Sequence, residues 1–285
     1  MRNNEDRLGV KDEGQTPPIL TNNDTQSNPL QFVTPTEFVD LPTKGKFYAS
    51  DHPLHNKDTV EIRYMTAKDE DILTSKTLLK KGIAVDRMLS NILVDKNIKI
   101  DELFVGDKNA IIVAARISGY GADYKTNVTC PSCGTSADWT FDLNEVLSGN
   151  EIMHEKAAGT EITNDGTFII ELPKTKVNAE CRLLTGKAEK ALTAQTEKRK
   201  KHKLPEATLT ALLKMFIVSL NGESDEAVIA RFVEQMPALD SKYLRAFYNK
   251  VVPNVDMKQI YQCESCDADT PLDMPFSVSF FWPNE

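Results

Sequence analysis

The sequence predicts an α+β fold that is mostly helical and carries short β-hairpins. Several segments repeat apolar residues at helical spacing, which is typical of helices packed on a core. Shorter segments alternate apolar and polar residues, as half-buried strands do. Two Cys-x-x-Cys steps, at residues 130–133 and 263–266, each lie between strand-like flanks. These steps indicate that a hairpin in the middle of the chain and a hairpin near its end are held together.

The two steps contain the candidate site residues Cys130, Cys133, Cys263 and Cys266. Their spacing allows two thiolates of one tight turn to bind the same metal ion, and four thiolates complete the tetrahedral shell of a structural zinc site. Roughly 130 residues separate the steps, whereas a compact ribbon has about 15–20. We predict a split, zinc-ribbon-like site of four cysteines with one structural zinc ion per chain; two disulfides or free thiols are the alternatives.

Three other candidate groups have simpler interpretations. Cys181 has no partner at ligand spacing, so we expect it to be a small core residue. His52 and His55 flank a proline and are interpreted as loop residues rather than as a ligand pair. The basic segment 197–203 is interpreted as the solvated end of a helix whose dipole it complements, with contact to phosphate as the alternative.

Length and charge limit the classes of function. The chain has 285 residues, of which 40% are hydrophobic, and a formal net charge of −8. This length suffices for a sizeable core, and the negative charge makes binding to nucleic acid or to an anionic membrane unfavourable. No apolar run approaches the roughly 18 residues of a membrane span, and the first residues lack the apolar core of a secretory signal. The cysteine pattern fits a reducing cytoplasm.

Composition divides the chain into four predicted parts. Residues 1–35 are polar and form an N-terminal arm that is disordered unless a partner orders it. Residues 36–150 form an α+β part that contains the first Cys-x-x-Cys step. Residues 151–254 form an inserted hairpin followed by a helical block. Residues 255–285 form a C-terminal hairpin with the second step.

Apolar periodicity, caps and glycine or proline stops predict the individual elements. Strands are predicted at 58–65, 167–172, 177–184 and 276–280. Helices are predicted at 66–82, over 85–93, from about 107 to 117, from 186 to about 200, and at 206–220, 225–235 and 240–251.

The last residues carry a large apolar load. Phe280, Phe281 and Trp282 follow one another close to the C-terminus. We expect these side chains either to pack back on the two hairpins or to bind another chain, and we assign them as candidate partner-binding residues.

The sequence does not predict an enzyme. It contains no phosphate-binding glycine loop, no nucleophile-elbow pattern and no H-E-x-x-H metal motif. Four thiolates around one ion leave no open coordination position for water or substrate, so the predicted metal is structural. We therefore expect neither a catalytic residue nor a small-molecule substrate.

Four segments in a fixed order carry a resemblance to a known family. They are IRYMTAKDEDILTS, LFVGDKNAIIVAARISGYG, CPSCG and FDLNEV, with CESC and FFWP near the end as weaker matches. Over about residues 38–147 the chain resembles the T4-type baseplate proteins of contractile-tailed bacteriophages, the group that contains the baseplate hub assembly subunits. The resemblance implies a non-enzymatic protein of the virion tail baseplate, made in the host cytoplasm. Its implied partners are other tail proteins, with several copies in one assembly.

Two other functions stay open at this point. One is a tail-assembly chaperone that is absent from the mature virion. The other is a zinc-ribbon protein that binds nucleic acid, suggested by the cysteine steps and the basic segment but disfavoured by the net charge.

Overall fold

The computed structural model describes residues 34–148, 162–163, 165–202, 207–275 and 278–281. In these residues the strands are β1 Thr36–Asp40, β2 Thr59–Arg63, β3 Asp123–Thr129, β4 Ser136–Asp142, β5 Thr167–Glu171, β6 Asn178–Arg182, β7 Ile217–Leu220, β8 Lys258–Gln262 and β9 Asp269–Asp273. The helices are α1 Ala67–Thr74, α2 Lys76–Lys80, α3 Ala84–Ile92, α4 Val105–Tyr120, α5 Leu143–Ser148, α6 Gly186–Lys201, α7 Thr208–Phe216, α8 Glu226–Gln235 and α9 Ala238–Val251.

The strands form small antiparallel sheets. β1 pairs with β2, β3 with β4, and β8 with β9, while β5, β6 and β7 form a three-stranded sheet in that order. The α+β class is thus confirmed. The prediction of a mostly helical chain is not confirmed, because within the described residues nine strands accompany nine helices. None of the helices in this part of the chain has the length and apolar character that a membrane crossing requires.

The described residues from 35 onward belong to one compact unit. The division of this unit into three predicted parts stays a prediction. Residues 1–33, which make up almost all of the predicted N-terminal arm, lie outside the described residues.

The helix predicted at 66–82 is two helices, α1 and α2. The chain breaks at Ser75, whose backbone is extended at φ −63° and ψ 108°. In α1 Leu73 is buried, whereas α2 contains no buried residue. The core therefore buries a residue of the first helix only, while Leu78 and Leu79 of the second helix are half-buried.

The helix predicted at 206–220 ends at Phe216, and the next four residues are strand β7. β7 pairs with β6, and the Ser219 hydroxyl donates a 2.7 Å hydrogen bond to Glu180 of that strand. Ile217 and Val218 are β-branched and suit a strand. The leucines before Ile217 have helical spacing, but pairing with β6 makes residues 217–220 a strand.

The strand predicted at 276–280 is also wrong where the structure describes it. Val278–Phe281 is a short 3-10 helix. The carbonyl of Phe280 accepts a 3.0 Å hydrogen bond from the guanidinium of Arg116. A side chain of α4, and not a strand ladder, thus binds this part of the backbone.

Helix α4 is the centre of the core. Ala110, Ile111, Val113 and Ala115 are fully buried, as expected for a helix that is apolar on several sides. At its C-terminal end Gly121 takes φ +85°, which is the predicted glycine stop. The chain turns there directly into β3.

Arg116 of α4 is 1% exposed and binds three backbone carbonyls. It donates to Gly121 at 2.7 Å, to Asp123 at 3.2 Å and to Phe280 at 3.0 Å. The guanidinium also lies 5.3 Å from the centre of the Tyr120 ring. One side chain thus joins the end of α4, the start of β3 and the C-terminal segment.

We expect Arg116→Ala to destabilise the protein by about 3–5 kcal/mol, because it leaves buried carbonyls without a donor and opens a cavity. Chemical unfolding of the purified chain measures this difference. The control is Arg231→Ala, at an exposed position of α8, which should change stability by no more than about 0.5 kcal/mol. Equal effects of the two substitutions would contradict the structural role of Arg116.

Asp69 is a second buried charge, in the first turn of α1. Arg63 binds both of its carboxylate oxygens, at 2.7 and 3.0 Å, and the Thr66 backbone and Asn91 side chain also donate to it. Burial by itself would raise the pKa of Asp69, but these hydrogen bonds outweigh it and lower the pKa to about 2. Ionised Asp69 therefore favours the folded state.

The stability that Asp69 contributes should be complete above its ordinary pKa of 3.8 and should disappear as the pH falls towards about 2. Thermal unfolding measured across this interval should show a shallower pH dependence for Asp69→Asn than for the natural chain. Asp71→Asn removes an exposed carboxylate of the same helix and should leave the slope unchanged. A slope that Asp69→Asn does not alter would refute this assignment.

Candidate metal centre

The four predicted ligands meet at one place. The Sγ atoms of Cys130, Cys133, Cys263 and Cys266 all lie within 4.8 Å of one another. Between the hairpins, Cys130 is 3.8 Å from Cys266, and Cys133 is 3.7 Å from Cys263. Cys130 and Cys263 are buried, while Cys133 and Cys266 are exposed. The cluster thus has a buried side against the core and an open side.

The two cysteine turns have the same backbone structure. In the first, Cys130 N–H donates to the Thr135 carbonyl at 2.9 Å, and Gly134 N–H donates to the Cys130 carbonyl at 2.9 Å. In the second, Cys263 N–H donates to Ala268 at 3.1 Å, and Asp267 N–H donates to Cys263 at 2.8 Å. Each turn therefore holds its two thiols by hydrogen bonds within itself.

The fifth residue of each turn has a left-handed backbone. Gly134 takes φ +74° and Asp267 takes φ +55°. Glycine adopts this conformation freely, and aspartate is among the few other residues that tolerate it. The same turn therefore occurs twice in the sequence, with glycine at the left-handed position of the first and aspartate at that of the second.

The inner faces of the two hairpins pack on each other. The Trp139 ring of β4 meets the Tyr261 ring of β8 edge to face, with centroids 5.0 Å apart. The Gln259 side chain accepts a hydrogen bond from the Asp142 N–H at 3.1 Å and donates to the Asp142 carbonyl at 2.5 Å. These contacts join the hairpins at positions outside the cysteine turns.

Helix α4 positions the second hairpin from its other end. Gly106, in the first turn of α4, lies against the backbone of Pro253, shortly before β8. A Cβ atom at position 106 would lie 2.0 Å from the Pro253 carbonyl oxygen, so a larger residue does not fit there. Asn109 donates a 3.2 Å hydrogen bond to Asn254 next to this contact.

The C-terminal aromatic residues lie beside the first hairpin. Phe280 and Phe281 are 0% and 1% exposed, which corresponds to the expected alternative of packing on the chain itself. The Phe280 ring lies 5.0 Å from that of Tyr124 in β3. Binding of a partner by this segment stays a prediction, and Trp282 lies outside the described residues.

Neighbouring groups shift the pKa values of three thiols. Hydrogen bonds with the side chain and the backbone of Thr135 lower the pKa of Cys133 to about 6. A backbone hydrogen bond at Ser265 lowers the pKa of Cys263. A backbone hydrogen bond at Ala268 also acts to lower the pKa of Cys266, but desolvation and the adjacent thiols outweigh it and raise the pKa to about 12. Four adjacent thiolates repel one another, so complete ionisation requires a cation.

The sulfur positions fit a tetrahedral metal site. With a Zn–S bond of about 2.3 Å, the edges of the sulfur tetrahedron are about 3.8 Å. The pairs at 3.7 and 3.8 Å match this edge, and they exceed the roughly 2.05 Å of a disulfide bond. Four cysteines are a donor set typical of structural zinc. The geometry therefore favours a metal over the two disulfides considered from the sequence.

The other predicted residues lie away from the cluster. Cys181 is fully buried in β6, as expected for a small core residue. His55 contacts the Tyr48 carbonyl through Nδ1 at 2.6 Å, and the His52 ring stacks on Tyr48, so both lie in a loop as predicted. The basic residues 198–201 form the last turn of α6, which agrees with the helix-end interpretation.

Two side chains that position the cysteine hairpins, Arg116 and Gln259, were not predicted from the sequence. Arg116 gave one signal, because it is a lone charged residue at the end of an otherwise apolar run. Gln259 gave none, since a glutamine in an alternating strand is ordinary. Its partner Asp142 is more than a hundred residues away.

The fold and the cluster define a protein in which four thiols from two hairpins, far apart in sequence, lie within 4.8 Å of one another. The chain belongs to the family described as T4 bacteriophage base plate protein, whose sequence model matches residues 35–282. Family membership indicates a structural protein of the phage baseplate, located in the virion tail, with other tail proteins as partners. No curated protein and no solved structure matches the chain.

We expect the chain to bind one metal ion with all four cysteines, and Cys130→Ser to abolish stoichiometric binding because three thiolates remain. Metal analysis and titration with Co²⁺, whose spectrum reports tetrahedral thiolate ligation, measure this. Cys181→Ala removes a thiol outside the cluster and should retain one equivalent. Less than about half an equivalent in natural chain purified without chelator would contradict a shared site.

Proposed function

We propose that the chain is a structural subunit of the contractile-tail baseplate, in which one zinc ion fixes a rigid adaptor between neighbouring proteins. The observation that carries this proposal is the convergence of four thiols from two turns about 130 residues apart. The family match supports the location in the baseplate. The metal is assigned a structural role because all four tetrahedral positions are taken by cysteine.

Zinc acts here through folding energy. The ion binds the folded chain, in which the ligands are already close, more strongly than the unfolded chain, in which they are far apart. The residues that would hold it are Cys130, Cys133, Cys263 and Cys266. The bound ion would neutralise the charge of four thiolates that otherwise repel one another. Its role in the proposal is structural and not catalytic.

The outer faces of the two hairpins disfavour the nucleic-acid alternative. On the first hairpin Asp123 and Asp138 are exposed beside one lysine, Lys125, and on the second Asp269 and Asp273 are exposed beside one lysine, Lys258. A surface for phosphate would instead carry lysine and arginine. The acidic faces support protein partners over DNA or RNA.

We expect this chain to be a component of purified, intact virions, at a stoichiometry comparable to other baseplate proteins. Quantitative mass spectrometry of virions measures this, and a reconstruction of the tail tip locates the chain. Absence from virions together with presence in assembly intermediates would replace the proposal with the tail-assembly chaperone. In phage carrying Cys130→Ser the amount incorporated should fall strongly, whereas Ser132→Ala, in the same turn, should leave it unchanged.

A further inference from the structure

Strand β1 has one edge that is not paired. The hydrogen bonds from Tyr64 to Pro35 at 2.9 Å and from Leu41 to Asp58 at 2.7 Å fix the pattern of the β1–β2 ladder. Odd-numbered residues of β1 face β2, so the backbone groups of Thr36, Phe38 and Asp40 point the other way. Among the described residues these groups have no hydrogen-bond partner. An unpaired edge of this kind is a template for another strand.

A small cavity lies directly beside this edge. It has a volume of about 160 Å³ and lies between β1, α4 and α5. Ala114, Ile117 and Leu147 form an apolar part of its lining, and Glu37, Asp40 and Asn144 form the polar part. A cavity of about 150 Å³ can hold a molecule the size of benzene, so this one accommodates a single apolar side chain.

One polar group of the cavity lacks a partner. The Glu37 atom Oε1 is buried and has no hydrogen-bond donor in the described structure. Burial raises the pKa of Glu37. A buried carboxylate oxygen without a donor is unfavourable, and a cationic or N–H group from outside would satisfy it.

On the strand itself Phe38 is 70% exposed, which is more than any other large hydrophobic residue in the described part of the chain. It also lines a second hollow together with Val94, which is 43% exposed. The acidic residues Asp58, Glu61 and Asp95 line that hollow with one base, Lys57. The surface around Phe38 is therefore apolar at its centre and mostly acidic at its edge.

We propose that β1 binds an extended, basic segment of a neighbouring protein as an added strand, with one apolar side chain of that segment in the cavity beside Ile117. Backbone bonds to Thr36, Phe38 and Asp40 provide the pairing, and the cavity selects the side chain. The acidic rim favours lysine or arginine in the partner and disfavours a second copy of this chain, which would place acids against acids. This inference rests on the proposed function, since the neighbour is a baseplate protein.

Hydrogen exchange with residue-level fragmentation tests the pairing. We expect the amides of Thr36, Phe38 and Asp40 to exchange at least about tenfold more slowly in assembled baseplates than in the free chain. The amides of Glu37 and Val39 are bonded to β2 in both states and serve as the internal reference. Unchanged exchange at 36, 38 and 40 in baseplates that contain the chain overturns the added strand alone. Absence of the chain from baseplates overturns the proposed function and this inference together.

Substitution tests the surface. Phe38→Asp should reduce incorporation into baseplates by about tenfold or more, because it removes an aromatic anchor and adds an acid to an acidic rim. Ile169→Asp, at a residue that is 50% exposed on β5, is the matched control and should have no effect. Thermal midpoints within about 2 °C of the natural chain show that both variants fold. Normal incorporation of Phe38→Asp would overturn the proposal.

Cross-linking identifies the occupant. A photoreactive phenylalanine analogue at position 38, in phage that still assemble, should link to a segment of another protein that alternates apolar and basic residues. A link to a second copy of this chain, or to an acidic segment, would overturn the proposed chemistry of the partner.

Discussion

The junction of two hairpins, each carrying two cysteines, is the constraint on which the rest of the structure depends. It closes a loop of about 130 residues, and a loop of this length is costly to close in entropy. A covalent link over about 100 residues reduces the entropy of the unfolded chain by the equivalent of nearly 5 kcal/mol. A metal ion bound only by the folded chain acts in the same direction. The helical block between the hairpins is therefore held at both ends.

The junction does not rely on sulfur alone. Gln259 binds both backbone groups of Asp142, Trp139 packs on Tyr261, and Arg116 binds carbonyls at the start of the first hairpin. These contacts join the hairpins through groups other than the thiols. Small zinc fingers differ, because they are unfolded without metal. In this larger chain the cysteine turns belong to the same core as α4, because Cys130 and Cys263 are buried in it together with Tyr124, Phe141 and Tyr261.

The cysteines could be predicted from the sequence because Cys-x-x-Cys is local chemistry, and the same turn is encoded twice. Most helices could be predicted as well, since their apolar spacing reflects the face that packs on the core. The two strand errors concern residues whose conformation depends on a distant partner. Residues 217–220 are a strand because β6 offers an edge, and Val278–Phe281 is helical where Arg116 binds its carbonyl. The apolar periodicity of a segment does not indicate which distant residues it contacts. For the same reason the contact of Gln259 with Asp142 could not be predicted.

Helix α4 connects the junction to the unpaired edge of β1. Ala114 and Ile117 line the cavity beside β1, while Arg116, between them in sequence, binds the start of β3 and the C-terminal segment. Neighbouring positions on one helix turn thus contact the two surfaces, and the described structure places no loop between them. Ala114 and Arg116 are buried, so this turn of α4 belongs to the core, where side chains are close-packed. A side chain bound in the cavity beside β1 would therefore contact the same turn of α4 that binds the start of the first cysteine hairpin.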